Sequence, residues 1–295
     1  MRYAAIDIGS NAVRLLIADI IENNGLVSFK KNTLIRVPLR LGDDAFLDHQ
    51  LSEKKAADLV KTMQAFRNLM DVYKVGDYIA FATSAMREAK NGPDVVKRIK
   101  HEANIDLEIV HGQKEAGMIY ASHAEQGIGK NKNYLYVDVG GGSTELSLFS
   151  AGELYASRSF NVGTIRMLDN KDTEESWNEM KEFLRENTRQ FKLISGIGTG
   201  GNINKLYKLS EEKNNAPLTF GKLKSLYNYL NSFSLKDRIN VLGLNTDRAD
   251  VIIPACEIYL TVMKWANVKN IYVPTIGLVD GVIQTLIEKH YPKSG

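Results

Sequence analysis

The stretch "YVDVGGGSTEL", residues 136–146, decides how the chain is read. Asp138 closes an apolar run, Gly140, Gly141 and Gly142 follow, and Ser143, Thr144 and Glu145 complete the segment. Glycine allows backbone angles and close approaches that a Cβ forbids, so successive N–H groups can turn toward an anion. Ser143 and Thr144 add hydroxyl donors, and Asp138 at the end of an apolar strand suits a Mg²⁺ ligand, direct or through water. A plain hairpin turn uses the same residue types, so the segment alone does not choose.

An internal echo makes the choice. "AIDIGSNAVRLLIA" (5–18) aligns with "YVDVGGGSTELSLF" (136–149) at a constant offset of 131, which superposes Asp7 on Asp138, Gly9 on Gly140 and Arg14 on Glu145. Both copies read as strand, glycine turn and second strand. A reverse-turn signal then follows in each, "ENNG" and "SAGE", and after it a third strand. Two meanders in matching register imply a duplicated domain. The first copy contributes Asp7, Gly9, Ser10, Asn11 and Arg14 as a second candidate phosphate loop.

After each meander the period becomes helical. Ser52 is placed to cap a helix over 53–74, with Ala56, Leu59, Val60, Met63, Phe66 and Met70 on its apolar face. Pro93 suits the first position of the next helix. Further helices are expected over 113–126, 174–191 and 247–266, the last kinked by Pro254. The polar, glycine-containing "GIGKNKN" (127–133) is the linker candidate. The expected fold is α/β, with domains at 1–126 and 127–295 and a ligand cleft between them; the final helix, from about 278, is a candidate to pack back on the first domain.

Composition bounds the alternatives. Thirty-eight Lys+Arg against 35 Asp+Glu give a net charge of +3, too mild for a nucleic-acid binder. The single cysteine, Cys256, excludes an internal disulfide framework, and the five histidines lack zinc-ligand spacing. Asp7 stands too early for a signal peptide, and no apolar run is long enough to span a membrane, so a cytoplasmic protein is expected.

Three other segments can carry chemistry. "GIGTGGN" (196–202) is a third glycine cluster, containing Gly198, Thr199, Gly200 and Gly201, between a strand and a helix N-terminus. "ATSAMREAKNG" sets Arg87 just past an apolar strand, where its guanidinium can pair bidentately with phosphate; taken alone it reads as a surface arginine. "VHGQKEAGMIY" sets Glu115 at a helix start, where a carboxylate can orient or deprotonate an attacking water or simply favour the helix dipole. Arg248 and Asp250 open the long helix of "TDRADVI".

Together, "AIDIGSNAVRLLI", "ATSAMREAKN", "HGQKEAGMIY", "YVDVGGGSTELSLF", "VGTIRM", "GIGTGGNI" and "RADVIIPAC" resemble, in order, the exopolyphosphatase/guanosine pentaphosphate phosphatase family of the actin–sugar kinase–Hsp70 superfamily. The resemblance implies two ribonuclease H-like domains and Mg²⁺-dependent release of terminal phosphate from polyphosphate or guanosine pentaphosphate. It places Glu115 as the catalytic glutamate, Asp138 and Glu145 on the metal loop, Arg87 on phosphate, and Gly198–Gly201 and Arg248 among the phosphate-binding positions. Neither nucleic acid nor membrane is an implied partner, and a homodimer is compatible with it. Lys114 replaces a frequent second glutamate, and Val279-Asp280 stands where Arg-Glu is common. The alternatives are an ATP-dependent small-molecule kinase and a binding protein of the same fold that has lost turnover.

Overall fold

The computed structural model describes residues 1–110, 132–213, 216–274 and 277–292. The expected helix over 113–126, Lys114 and Glu115 within it, and most of the linker candidate lie outside the described residues. Contacts divide the chain into two compact units, Met1–Glu125 with Gly277–Gly295, and Gln126–Ile276.

The first unit is built on a five-stranded sheet in the order β3-β2-β1-β4-β5. Its strands are β1 (Arg2–Ile8), β2 (Val13–Asn23), β3 (Leu26–Val37), β4 (Asp77–Ala82) and β5 (Leu107–Ile109). The first three form an antiparallel meander, and β4 and β5 run parallel to β1. The central strand β1 is apolar almost throughout because both faces are covered; Ala4, Ala5 and Ile6 are fully buried. The helix Glu53–Val72 starts where Ser52 Oγ accepts from Lys55 N, and its predicted apolar positions are all buried. The C-terminal helix, Leu278–His290, packs on β1, β2 and β4. Ion pairs tie both of its ends. Lys31 Nζ meets the buried Asp280 carboxylate at 2.8 Å, and Lys289 and His290 meet Asp77 at 2.9 and 2.7 Å.

The second unit has a six-stranded sheet in the order β10-β11-β9-β6-β7-β8. Its strands are β6 (Asn133–Val139), β7 (Thr144–Ser150), β8 (Glu153–Phe160), β9 (Ser195–Thr199), β10 (Leu218–Thr219) and β11 (Asn270–Tyr272). From the β8 edge, the order β8-β7-β6-β9-β11 repeats that of the first sheet, with β10 added as an antiparallel edge. Both units therefore carry the ribonuclease H-like strand order.

The duplication holds at single-residue level. Asp7 pairs with Arg14 across β1 and β2, and Asp138 pairs with Glu145 across β6 and β7. Gly9 N donates to Ala12 O at 3.2 Å, and Gly140 N to Ser143 O at 2.9 Å. The register slips between Ile17 and Ala18 in one meander and between Leu148 and Phe149 in the other, again 131 residues apart. Only the outer hairpins differ. Strand β2 has 11 residues against seven in β7, so the left-handed turn pairs Asn24-Gly25 and Ala151-Gly152 no longer share the offset.

One predicted helix is divided. Instead of a kinked helix over 247–266 there are two, Thr246–Ala249 and Ile252–Trp265. Pro254 sits in the first turn of the second helix, where its missing N–H has no intrahelical partner to lose, so it starts a helix rather than bending one.

Candidate active site

The glycine loop between β6 and β7 is held from behind. Thr164 N donates to Gly140 O at 3.0 Å, Ile165 N to Gly141 O at 2.8 Å, and Arg166 Nε to Gly142 O at 2.6 Å. All three donors open the short helix Thr164–Leu168, and Thr144 Oγ1 donates to Val162 O at 2.6 Å just before it. Because the loop's carbonyls are occupied, its other side carries the donors; the N–H groups of Gly141 and Gly142 have no acceptor among the described residues. Gly163 makes the contact possible, since a Cβ there would lie 2.4 Å from Gly141 O and 2.5 Å from Gly142 C.

Asp138 and Glu145 stand directly opposite on antiparallel neighbours, which puts both carboxylates on the same sheet face. Glu145 is buried, and its Oε1 accepts from Ser143 Oγ at 2.6 Å and Ser159 Oγ at 2.9 Å. The third glycine cluster joins them through β9, whose Thr199 is the parallel partner of Asp138. Gly200 takes φ +92°, and a Cβ there would come within 2.5 Å of Asp138 Oδ1. Two positions of the site thus need glycine, Gly163 for close approach to the loop backbone and Gly200 for a left-handed backbone against Asp138. Asn202 Nδ2 donates to Val139 O at 3.1 Å, and Arg248 Nη1 to Gly201 O at 2.8 Å. Beneath them the Tyr259 hydroxyl donates to Thr199 O at 3.0 Å. Burial, with the charge of Asp138 adding to it, pushes the Tyr259 phenol well above its ordinary value, so it stays protonated.

In the first unit the equivalent loop is wired differently. Where the second unit has two carboxylates, Arg14 Nη1 donates to Asp7 Oδ2 at 2.6 Å. Burial raises the Asp7 carboxyl and the Arg14 guanidinium pulls it back down; burial is the larger effect. Ser10 Oγ lies 2.8 Å from Ser84 Oγ at the start of the helix Ser84–Glu88, and Thr83 Oγ1 donates to Ile8 O. Ser10 O and Asn11 O accept from Gly42 N and Arg40 N. Arg87 Nη1 donates to Val110 O at 2.9 Å.

A model of the Ppx/GppA phosphatase family matches residues 27–290. The chain belongs to this family. Among curated relatives, the Fusobacterium nucleatum bifunctional 3-dehydroquinate synthase/phosphatase is 29% identical over 85% of the chain, which spans 41% of that protein. Exopolyphosphatase 1 of Mycobacterium leprae is 22% identical over 96% of the chain and 88% of its own length. The guanosine-5'-triphosphate,3'-diphosphate pyrophosphatase of Aliivibrio fischeri is 23% identical over 97% of the chain, which covers 59% of it. Among solved structures, the Ppx/GppA family member of Aquifex aeolicus superposes with a TM-score of 0.77 at 26% identity, covering 98% of both chains.

In this Ppx/GppA chain the second unit assembles Asp138, Gly140–Ser143, Glu145, Gly198–Gly201 and Arg248 on one end of its sheet. The first unit gathers Asp7, Gly9, Ser10, Asn11 and Arg14 at the corresponding end of its own, with Ser84 beside Ser10. Sequence reasoning missed the supports: Gly163, Arg166, Ser159 and Tyr259. "VGTIRM" stood out as a segment, yet nothing local says that its donors face a loop more than twenty residues earlier. Among the described residues no cluster of three or more His, Cys, Asp or Glu is placed to hold a metal. The expected ligands number two carboxylates, which suits Mg²⁺, an ion that keeps several of its waters.

Proposed function

We propose that the chain is a Mg²⁺-dependent phosphoanhydride hydrolase that releases terminal phosphate from inorganic polyphosphate or guanosine pentaphosphate. The observation that carries it is the contrast between the two copies of one motif. At the same register position Asp7 has Arg14 as its counter-ion, while Asp138 faces Glu145. Two carboxylates opposite each other on one sheet face are a donor set that a divalent cation suits. The two Ser hydroxyls that donate to Glu145 Oε1 fix the orientation of its carboxylate. Relatives named for polyphosphate and for guanosine-5'-triphosphate,3'-diphosphate support the substrate class.

Asp138 and Glu145 would hold the ion, which when bound supplies positive charge to the terminal phosphate oxygens. The outward N–H groups of the 140–143 loop and the N-terminal N–H groups of the helix Gly201–Leu209 hold the equatorial oxygens. Arg166 and the first turn of its helix keep the loop in that conformation before substrate arrives. Glu115 orients the attacking water and accepts its proton, and Arg87 offsets charge on phosphate, roles that rest on the resemblance.

The test is phosphate release from both substrates with Mg²⁺ and no acceptor, for the parent protein and Glu115→Gln. Release by the parent and loss of at least a hundredfold in kcat with retained binding in the variant is expected. Near-parental turnover in Glu115→Gln removes its assigned role, and absence of release from both substrates by the parent removes the hydrolase reading.

A further inference from the structure

Tyr259 is fully buried on the helix Ile252–Trp265, where no other buried side chain carries an oxygen or a nitrogen. A buried hydroxyl costs stability unless it is bonded, a cost that phenylalanine would not carry. The Tyr259 hydroxyl sits between the ends of β6 and β9. It donates to Thr199 O at 3.0 Å, with Val137 O at 3.3 Å, and accepts from the Val139 backbone. The residue pairs of this ladder end at Asp138 and Thr199. The phenol oxygen therefore stands in place of the next rung, joining an N–H of one strand to a C=O of the other. Such a bridge holds the two groups about 5 Å apart, where a direct bond would draw them to about 3 Å. Both residues that meet across this gap are flanked by the bonded peptides. Val137 and Val139 enclose Asp138, and Thr199 precedes Gly200, whose Cβ, if it had one, would lie 2.5 Å from Asp138 Oδ1.

We propose that Tyr259 is a positioning residue of the active site: its hydroxyl replaces the last rung between β6 and β9 and sets the Asp138 carboxylate against the third glycine loop. The catalytic half of the inference rests on the proposed hydrolase reading; the rung itself does not. The glycine loop over 140–142 is clamped separately, by the helix Thr164–Leu168, so it keeps its conformation when the rung is lost. Losing the hydroxyl therefore spares substrate binding and costs the chemical step. A displacement of about 1 Å among the groups around the reacting phosphate costs up to about a hundredfold in rate.

The test compares the parent with Tyr259→Phe, which removes one oxygen and keeps the ring in the core. Tyr227→Phe is the matched control, because the Tyr227 hydroxyl donates to Glu257 Oε1, on the same helix as Tyr259, at 2.6 Å. Two measurements are made: amide-resolved hydrogen exchange without Mg²⁺ or substrate, and steady-state phosphate release from polyphosphate and guanosine pentaphosphate with Mg²⁺. In Tyr259→Phe the Val139 amide should exchange at least about tenfold faster, since its acceptor is gone. Its kcat per folded molecule should fall about tenfold with KM held within about threefold. In Tyr227→Phe both quantities should stay within about twofold of the parent, although a comparable hydrogen bond is lost. A merely structural tyrosine would lower the unfolding midpoint in both variants and leave kcat alone. Val139 exchange or kcat in Tyr259→Phe no different from the control overturns the proposal, as does a loss confined to KM. A Val139 amide that exchanges freely in the parent overturns it without any variant. A parent that releases no phosphate from either substrate refutes the hydrolase reading instead, and exchange at Val139 then decides the rung.

Discussion

Replacing Gly163 by Ala tests whether the glycine loop is held from behind. The added Cβ would lie 2.4 Å from Gly141 O, 2.5 Å from Gly142 C and 2.6 Å from Gly141 C, all backbone atoms. Moving from 2.4 Å to an ordinary 3.4 Å contact requires a separation of about 1 Å between the loop and the start of the helix Thr164–Leu168. That displacement stretches the Ile165 N–Gly141 O bond from 2.8 Å beyond hydrogen-bonding range, and Thr164 N–Gly140 O with it. Overpacking costs about 1–3 kcal/mol and the two bonds about 1 kcal/mol each, so a loss of roughly 3–5 kcal/mol is expected. Both tryptophans, Trp177 and Trp265, belong to the second unit, so urea unfolding followed by tryptophan fluorescence reports on that unit. Phosphate release should fall by about a hundredfold, because the loop's N–H groups move by a comparable distance. The control is Gly221→Ala, where the new Cβ meets nothing within 4 Å and stability should hold or rise by up to about 1 kcal/mol. If Gly163→Ala unfolds within 0.5 kcal/mol of the parent, or turns over as fast, the clamp argument is wrong.

Gly200→Ala combines φ +92° with a Cβ 2.5 Å from Asp138 Oδ1, so it should raise the half-saturating Mg²⁺ concentration for phosphate release at least tenfold; an unchanged value would show that Asp138 does not hold the ion. Chelation of divalent ions should abolish release while leaving the far-UV circular dichroism intact, and Glu145→Gln should raise the Mg²⁺ requirement; release that survives chelation refutes the metal assignment. Arg14→Gln removes the counter-ion of a buried carboxylate and should cost about 3 kcal/mol at neutral pH, the lower end of the range because the Arg14 side chain is 30% exposed. Its pH dependence has a definite sign. The Asp7 carboxyl is raised above its ordinary 3.8, so the stability of the protonated form is present below that value and lost as pH rises through the folded value. Without Arg14 the folded value rises further. Denaturation midpoints from pH 4 to 8 should therefore fall more in the variant than in the parent, and parallel curves would contradict this.

The sequence determined the duplication, and the structure extends it to strand register and even to the position of the irregularity in each meander. That was legible because a two-residue strand period leaves no freedom: a slip of one residue turns every side chain to the other face, so matching patterns at a fixed offset mean matching pairing. The glycine loops and the Asp7, Asp138, Arg14 and Glu145 positions followed, since each is tied to a strand end by local chemistry. Pro254 was misjudged because its effect depends on whether it falls in a helix's first turn or in its interior, which is set by where the chain begins to wind. Tertiary structure alone decided what supports the loops. Gly163 and Arg166 act on carbonyls of residues 140–142, Ser159 reaches Glu145 from the next strand, and Asp280 is held by Lys31, far away in sequence. Hydrogen bonds of that kind leave no periodicity in the chain, because they depend on where two separate segments meet rather than on how either one repeats.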